Sequence, residues 1–394
     1  MHTFFRYELY IMKVNFSRVK NKLFQHIANE NKWGIVPTKK GVYAMTSKTL
    51  FGLLCCLPLI GCDSETKIPE KNTINPEIEQ IVQKELEDAV ATYQATAATG
   101  IIMESKTGEI ISMVSVGKID PMQYVYEMGG QFKVFNTAMA YENGLADKQY
   151  TVNQAYVIRD KNGRELITIK DVPSTKKYLE KQGITKMGAD DIFLNSCNVG
   201  TVQIALDLPD GVQTEFFHRV KLDKVLELDF GKTGKPLLPT KKGVVETATN
   251  SFGHGIAITP MHMIASLNAV INEEYVYPTF TKTKDIKAER VVSADVAKHI
   301  REDMHKKAEL LTANKSKAKN IGLSSATAEK TGEKKAVTTN VFVAFPIDAP
   351  KYSMFVFMND PKGSAKTGGL KTSAWNVIPT AGKILEQIEP MLIK

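Results

Sequence analysis

Two hairpin patterns at opposite ends of the chain's body constrain its fold more than any other feature. The first, TGIIMESKTGEIISMVSV, has two β-rich runs on either side of Lys106-Thr107-Gly108. The second has two apolar, aromatic-rich runs, Asn340–Pro346 and Tyr352–Met358, separated by IDAPK. The patterns between the hairpins are mostly helical. We therefore expect strands from both ends of the chain to build one sheet around a helical insert.

Helical patterns flank this predicted sheet. Residues 63–90 begin as a polar tether and then place apolar side chains at helical spacing, which predicts a first helix carrying Ile78, Ile81, Val82 and Leu86. Pro379 is predicted to begin a final helix, which Pro390 would stop.

Composition and charge exclude several classes of protein. With 394 residues and 43% apolar content, the chain can bury a large core, which excludes a disordered protein and a disulfide-stapled miniprotein. The net charge of +8 is unevenly placed, because residues 1–62 hold nine basic and two acidic residues. The remainder is close to neutral, so we expect no nucleic-acid partner.

The N-terminal region is typical of an exported lipoprotein. An apolar run at 50–60 follows Lys48 and is too short for a membrane span, which needs about 20 residues. Leu59-Ile60-Gly61-Cys62 resembles a bacterial lipoprotein box, so residues 45–62 are interpreted as a signal peptide with lipidation at Cys62. An ordinary buried strand or an uncleaved anchor is the alternative.

Residues 1–44 do not fit this interpretation, because a signal peptide begins near its charged region. We interpret them as an extension caused by a start-site error, with translation beginning at Met45; an amphipathic cytoplasmic extension is the alternative. Three of the four cysteines lie at or before position 62, and Cys197 is the fourth. A disulfide framework within the body is therefore excluded.

Three segments carry chemistry in a fixed order. They are YEMGGQFKVFNTAMA at 126–140, Ser196-Cys197-Asn198 and Lys330-Thr331-Gly332. In this order, and with the flanking text SFGHGIAITPMHMIASLNAVIN and SAWNVIPTAGKILEQI, they resemble the transpeptidase domain of class B penicillin-binding proteins, the division-specific branch. The resemblance covers roughly residues 100–394.

The resemblance implies the fold and the site. The fold class is α/β of the α+β type, the penicillin-binding-protein and β-lactamase-like transpeptidase fold, over residues 91–394. It has a central antiparallel sheet flanked by helices, with a helical subdomain. The family has a nucleophilic serine at the position of Gly130, one helical turn before a lysine, here Lys133, that can take the hydroxyl proton. The implied proton relay is Ser196, Asn198 orients the substrate, and Lys330, Thr331 and Gly332 lie on a strand edge that pairs with it.

The sequence departs from the family at the nucleophile. Gly130 has no side chain, so we expect no acyl-enzyme at this position and consider the remaining catalytic set vestigial. Other Ser-x-x-Lys spacings exist, beginning at Ser17, Ser64, Ser115, Ser174 and Ser316, but none opens an apolar helix behind the YEMG segment. Ser115 is predicted to end a strand.

A second departure follows Lys-Thr-Gly. The family has Thr or Ser there, which binds the substrate carboxylate, whereas this chain has Glu333. Two carboxylates in a partly desolvated cleft repel each other. Glu329 replaces a small residue and could pair with Lys330. A third departure is the family's N-terminal pedestal, for which only about 30 residues are available after Cys62, so contacts with a glycosyltransferase partner are not carried over.

Several other residues are given structural interpretations. His254 in the SFGHG turn is interpreted as structural, and Cys197 as a buried thiol rather than a substitute nucleophile. The run KKAELLTANKSKAKN at 306–320 is predicted to be a solvated loop. No spacing suggests a metal, a nucleotide or another cofactor.

Taken with these departures, the resemblance predicts a lipoprotein on the periplasmic face of the inner membrane. It would act in peptidoglycan synthesis or cell division as a catalytically inactive binding or scaffold protein. Expected partners are wall-synthesis or division proteins and, non-covalently, a stem peptide or β-lactam. One alternative is an active serine-type D,D-transpeptidase or carboxypeptidase using another nucleophile, and another is a decaying gene copy.

Overall fold

The computed structural model describes residues 73–241, 243–282, 284–312, 320–330, 336–363 and 367–393. The predictions for residues 1–44, the signal peptide at 45–62 with Cys62, and the start of the tether lie outside these residues. None of the described helices is long and apolar enough to cross a bilayer.

The strands are short except for those of one central sheet. They are β1 Ala97–Glu104, β2 Ile110–Gly117, β3 Tyr126–Glu127, β4 Tyr150–Thr151, β5 Tyr156–Arg159, β6 Glu165–Ile169, β7 Lys186–Met187, β8 Glu227–Leu228, β9 Gly231–Lys232, β10 Ala257–Ile258, β11 Glu274–Val276, β12 Ala288–Arg290, β13 Gly322–Glu329, β14 Val337–Phe345 and β15 Tyr352–Asn359.

Most of the described helices lie, in sequence, between β2 and β13. They are α1 Pro76–Tyr93, α2 Phe132–Glu142, α3 Pro173–Gln182, α4 Ala189–Leu194, α5 Asn198–Asp207, α6 Val212–Arg219, α7 Val244–Asn250, α8 Pro260–Ile271, α9 Ala294–Thr312 and α10 Val377–Leu392. Two 3-10 turns, Gly129–Gln131 and Ser373–Trp375, precede α2 and α10.

The central sheet joins the two ends of the described chain, as the hairpin patterns predict. Its order is β13-β14-β15-β1-β2, and every neighbouring pair is antiparallel. Both predicted hairpins, β1–β2 and β14–β15, are present, and β1 pairs with β15 from Ala97 opposite Asn359 to Glu104 opposite Tyr352. The prediction of one sheet around a helical insert is therefore confirmed.

Helices cover both faces of this sheet. On one face α1 and α10 pack through the predicted apolar residues Ile78, Val82 and Leu86 of α1 and Ile384, Leu385 and Ile388 of α10. On the other face Phe342, Phe355 and Phe357 join a core shared with α2 and α8. A separate cluster around α4 and α5, with β5 and β6, forms the core of a helical subdomain. The 3-10 turn before α2 contacts β13, so the start of α2, which carries Lys133, lies beside the sheet.

Two predicted boundaries are wrong. Helix α10 begins at Val377, because the side chain of Asn376 accepts a hydrogen bond from the Val377 N–H and caps the helix there. It also continues past Pro390 to Leu392. A proline in the last turn removes one N–H, and the Ile393 N–H still closes the turn on the Glu389 carbonyl.

The predicted solvated loop at 306–320 is also wrong in its first part. Residues up to Thr312 continue α9, and the side chain of Lys307 is buried. The high charge of the run predicts a solvated loop. On a helix, neighbouring residues point in different directions, so Lys306 is exposed while Lys307 faces the core. Residues 313–319 lie outside the described part.

Candidate active site

The 3-10 turn at Gly129–Gln131 positions the start of α2 against the sheet. The Gln131 side-chain amide donates hydrogen bonds to the Ser324 carbonyl, at 3.0 Å, and to Asn340 Oδ1, at 2.8 Å. Gly129 has a φ of +55° and lies against Ala328 of β13. These contacts fix the turn to the strand that leads into Lys330.

Gly130, at the predicted nucleophile position, lies in the 3-10 turn that leads into α2. Its backbone is outside the left-handed region, so a residue with a side chain can adopt the same conformation. A Cβ added at Gly130 would lie 3.8 Å from both Ala326 Cβ and Lys133 Nζ, which is ordinary van der Waals contact. The turn therefore has room for a serine side chain beside Lys133.

Lys133 is buried at the centre of the site. Its Nζ donates hydrogen bonds to the Ser196 carbonyl, at 2.8 Å, and to Asn198 Oδ1, at 2.7 Å. Burial lowers the pKa of Lys133 to about 8, although the negative charge of Asp171 acts in the opposite direction. A substantial neutral fraction is thus present at mildly alkaline pH, as a general base requires.

Ser196 and Cys197 lie in the connection between α4 and α5, and Asn198 is the first residue of α5. Ser196 has a φ of +53°, an uncommon conformation for a residue with a side chain. Cys197 is the N-cap of α5, and its sulfur accepts a hydrogen bond from the Gly200 N–H. Burial, together with Asp171, raises the pKa of the Cys197 thiol to about 12, so this thiol is poorly suited to act as a nucleophile.

Asp171 supports this connection and was missed by the sequence analysis. Its carboxylate accepts hydrogen bonds from the backbone N–H groups of Asn198 and Val199 and from the Cys197 thiol, at 3.3 Å. It therefore caps the N-terminus of α5 from a segment 27 residues earlier in the chain. No local pattern connects an aspartate after β6 with the start of α5.

Lys307 is the second missed residue. From α9 its Nζ donates hydrogen bonds to Ser196 Oγ, at 3.0 Å, and to the Phe193 carbonyl, at 2.9 Å. The same ammonium lies 4.2 Å from the centre of the Phe193 ring. Burial, together with the positive charge of Lys133, lowers the pKa of Lys307 to about 7.

The SFGHG turn packs against Gly129, the neighbour of Gly130. A Cβ at Gly253 would come within 2.2 Å of the Gly129 carbonyl oxygen, so the close approach of the two segments requires glycine. His254 Nδ1 lies 3.3 Å from Glu127 Oε2, and the Gly255 N–H donates to the same carboxylate. The pairing with Glu127 supports the structural interpretation of His254.

Lys330 follows the end of β13, and its N–H donates to the Ala336 carbonyl. A cavity of about 310 Å³ lies beside it, lined also by Glu329, Glu127, Tyr126 and Thr338. Thr331, Gly332 and Glu333 lie outside the described residues, so their predicted roles stay predictions. The structure thus brings together Gly130, Lys133, Ser196 and Asn198, with Lys330 at the end of the strand that contacts the Gly130 turn.

The other Ser-x-x-Lys spacings do not form comparable pairs within the described residues. Ser115 lies near the end of β2, as predicted, and its hydroxyl donates to Thr99 Oγ1. Ser174 is exposed in the first turn of α3. Ser17, Ser64 and Ser316 lie outside the described residues.

Comparison with protein families gives one match, described as the penicillin binding protein transpeptidase domain, over residues 98–380. Among curated proteins the chain is 26% identical to "Probable peptidoglycan D,D-transpeptidase FtsI" of Caulobacter vibrioides, covering 82% of this chain and 59% of that protein. It is 27% identical to "Stage V sporulation protein D" of Bacillus subtilis, covering 82% and 53%. The chain therefore spans between half and three fifths of the length of these relatives.

Solved structures show the same fold. The transpeptidase (TP) domain of Burkholderia pseudomallei penicillin-binding protein 3 in its apo form superposes with a TM-score of 0.69 at 19% identity, covering 82% of this chain and 96% of that one. A structure described as a peptidoglycan glycosyltransferase from Burkholderia ambifaria gives 0.67 at 18% identity, covering 82% and 98%. The predicted fold, with its antiparallel sheet and helical subdomain, is confirmed.

Proposed function

Because the chain belongs to the penicillin-binding protein transpeptidase domain family, we propose that it acts in peptidoglycan synthesis or cell division without performing acyl transfer at position 130. Its role is then that of a binding or scaffold protein. Relatives with "peptidoglycan D,D-transpeptidase" in their names support a role in peptidoglycan synthesis, and the glycine at position 130 of this chain supports the loss of the nucleophile.

One observation carries the proposal. Gly130 lies beside the buried amine of Lys133, and a Cβ there would make only ordinary van der Waals contacts, so a base is in place and the hydroxyl that it would deprotonate is missing. Covalent catalysis by this family's route requires a nucleophile whose oxygen forms the acyl bond. A glycine at this position cannot supply one.

The retained groups suit non-covalent binding. Lys133 and Asn198 hold each other at 2.7 Å, and the side-chain amide of Asn198 also donates to the Lys170 carbonyl, so both are preorganised. A peptidoglycan stem peptide or a β-lactam is the ligand class that this cleft would accept. Glu333 after Lys-Thr-Gly would weaken binding of a terminal carboxylate, because like charges repel in a partly desolvated cleft.

The N-terminal sequence supports a cellular location for the chain. We propose that a lipid on Cys62 anchors the chain at the periplasmic face of the inner membrane, where it can meet wall-synthesis or division proteins. Residues 63–72 would then serve as a short tether to α1.

A second candidate function is supported by the contact between Ser196 and Lys307. A serine hydroxyl 3.0 Å from an amine with a pKa of about 7 resembles a nucleophile and its base, as an active D,D-transpeptidase or carboxypeptidase with another nucleophile would require. Against it, Asp171 already occupies the N–H groups at the start of α5, which leaves no oxyanion donors there.

Incubation with a labelled β-lactam followed by intact and peptide mass spectrometry tests the proposal. We expect no covalent adduct on the wild-type chain. An adduct mapped to any serine, threonine or cysteine would overturn the proposal, and an adduct on Ser196 would favour the second candidate. An active class B relative treated in parallel is the positive control.

A further inference from the structure

Two buried lysines share Ser196 between them. Lys133 donates to its carbonyl oxygen, while Lys307 donates to its hydroxyl oxygen. Lys133 and Lys307 are only 5% and 4% exposed, so water cannot replace these partners. The Ser196 hydroxyl is therefore hydrogen-bonded to Lys307 of α9 and not to Lys133 of α2.

The turn around Ser196 fixes this arrangement. The Ser196 N–H donates to the Phe193 carbonyl and the Cys197 N–H to the Ile192 carbonyl, which holds Ser196 in its left-handed conformation. The Phe193 carbonyl also accepts from Lys307. These hydrogen bonds join the backbone around Ser196 to the Lys307 amine, and together they set the direction of the Ser196 side chain.

Lys307 in turn depends on Ser196. A buried ammonium is tolerated only when its donors are satisfied. Lys307 donates to the Phe193 carbonyl and to Ser196 Oγ, and the Phe193 ring adds a cation–π contact. If the hydroxyl turned toward Lys133, the buried Lys307 would lose one of these acceptors. The present rotamer is favoured for that reason.

We propose that Lys307 is a positioning residue that holds the Ser196 hydroxyl away from Lys133 and so blocks proton transfer in the cleft independently of Gly130 and Glu333. This inference rests on the proposed function, because it concerns a transpeptidase cleft that has lost its chemistry. Lys307 is then a further obstacle to restoring acylation, and it lies outside the three family motifs.

The test uses the full chain carrying Gly130→Ser and Glu333→Thr. Adding Lys307→Met should raise the rate of acylation by a labelled β-lactam at least about tenfold, since proton transfer through a positioned group contributes about 10²–10⁴-fold. Lys306→Met is the matched control, because Lys306 is the exposed neighbour on the same helix. Equal rates with and without Lys307→Met, including no acylation of either, would overturn the inference.

A double-mutant cycle that combines Ser196→Ala with Lys307→Met distinguishes a positioning role of Lys307 from a purely structural one. Ser196→Ala should lower the acylation rate at least ten times more when Lys307 is methionine than when Lys307 is present. An equal effect in both backgrounds would show that the hydroxyl is already available and would overturn the inference. A general loss of stability would change both backgrounds alike.

A crystal structure of the Gly130→Ser, Glu333→Thr chain keeps the inference testable if Lys307→Met does not fold. We expect Ser196 Oγ within hydrogen-bond distance of Lys307 Nζ, with only the Ser196 carbonyl on Lys133. A hydroxyl turned to Lys133 or to the new serine would overturn the inference. A β-lactam adduct on the wild-type chain is a different result, since it would defeat the proposed function itself.

Discussion

Glu127 and His254 form a partly exposed ion pair behind the candidate site, with Oε2 and Nδ1 3.3 Å apart. The hydrogen bond that His254 donates to Glu127 raises the pKa of His254. Burial acts to raise the pKa of Glu127, but the hydrogen bonds from His254 and Gly255 outweigh it and lower that pKa. The pair therefore links the YEMG segment to the SFGHG turn most strongly in mildly acidic solution.

This pair predicts a pH-dependent stability difference for His254→Gln. The raised pKa of His254 contributes stability below about pH 6.5 that is lost as pH rises through the folded pKa, and the lowered pKa of Glu127 contributes stability above about pH 4.5. We expect His254→Gln to lower the free energy of unfolding by about 0.5 kcal/mol between pH 4.5 and 6.5, a small effect because His254 is largely exposed. The loss should be smaller at pH 8.5. Urea unfolding at several pH values measures this, and a constant difference would contradict it.

Restoring the nucleophile alone should be insufficient for acylation. Gly130→Ser places a hydroxyl beside Lys133, but Glu333 still repels the carboxylate of a β-lactam or D-alanyl terminus. We expect the Gly130→Ser, Glu333→Thr chain to acylate faster than Gly130→Ser, as followed by the rate of fluorescent β-lactam labelling. Equal rates would show that the charge at position 333 has no influence.

The Cys197 thiol should resist alkylation in the folded chain. It is fully buried, and its pKa of about 12 leaves almost no thiolate at pH 8. Iodoacetamide labelling followed by peptide mass spectrometry should modify Cys197 only after denaturation. Rapid labelling of the native chain at this position would contradict the described packing.

Asp171→Asn should destabilise the chain by about 1–2 kcal/mol. The substitution removes the negative charge at the N-terminus of α5 and weakens its hydrogen bonds to the Asn198 and Val199 N–H groups. Asp160→Asn is a suitable control, because Asp160 accepts its hydrogen bonds within an exposed turn between β5 and β6. A drop for Asp160→Asn as large as that for Asp171→Asn would contradict a specific role in capping.

Lipid anchoring at Cys62 predicts resistance to a high-salt wash. Two or three acyl chains hold a protein on a membrane far more firmly than charge does, so salt should not release the wild-type chain. Cys62→Ala should leave an uncleaved precursor. Membrane fractionation and intact mass distinguish the outcomes, and normal processing of Cys62→Ala would contradict the lipoprotein interpretation.

Local patterns were sufficient for the hairpins and for α1, because alternating and helical spacings of apolar residues report directly on which faces are buried. Gly130, Lys133, Ser196 and Asn198 could be placed together because the order of the motifs matched a known family. Asp171 and Lys307 could not be found in this way. Each reaches the site from a distant segment, and a lysine within a charged run is indistinguishable from a solvated one until the helix is packed.

The pairing of β1 with β15 has a consequence for how the chain reaches its final state. Thr96 and Asn359, hydrogen-bonded beside this pair, are 263 positions apart, so the middle of the sheet closes only after nearly the whole polypeptide is available. Contacts of such long range form slowly. A chain emerging from a ribosome would keep its β1–β2 hairpin without a neighbour for β1 until β15 appeared.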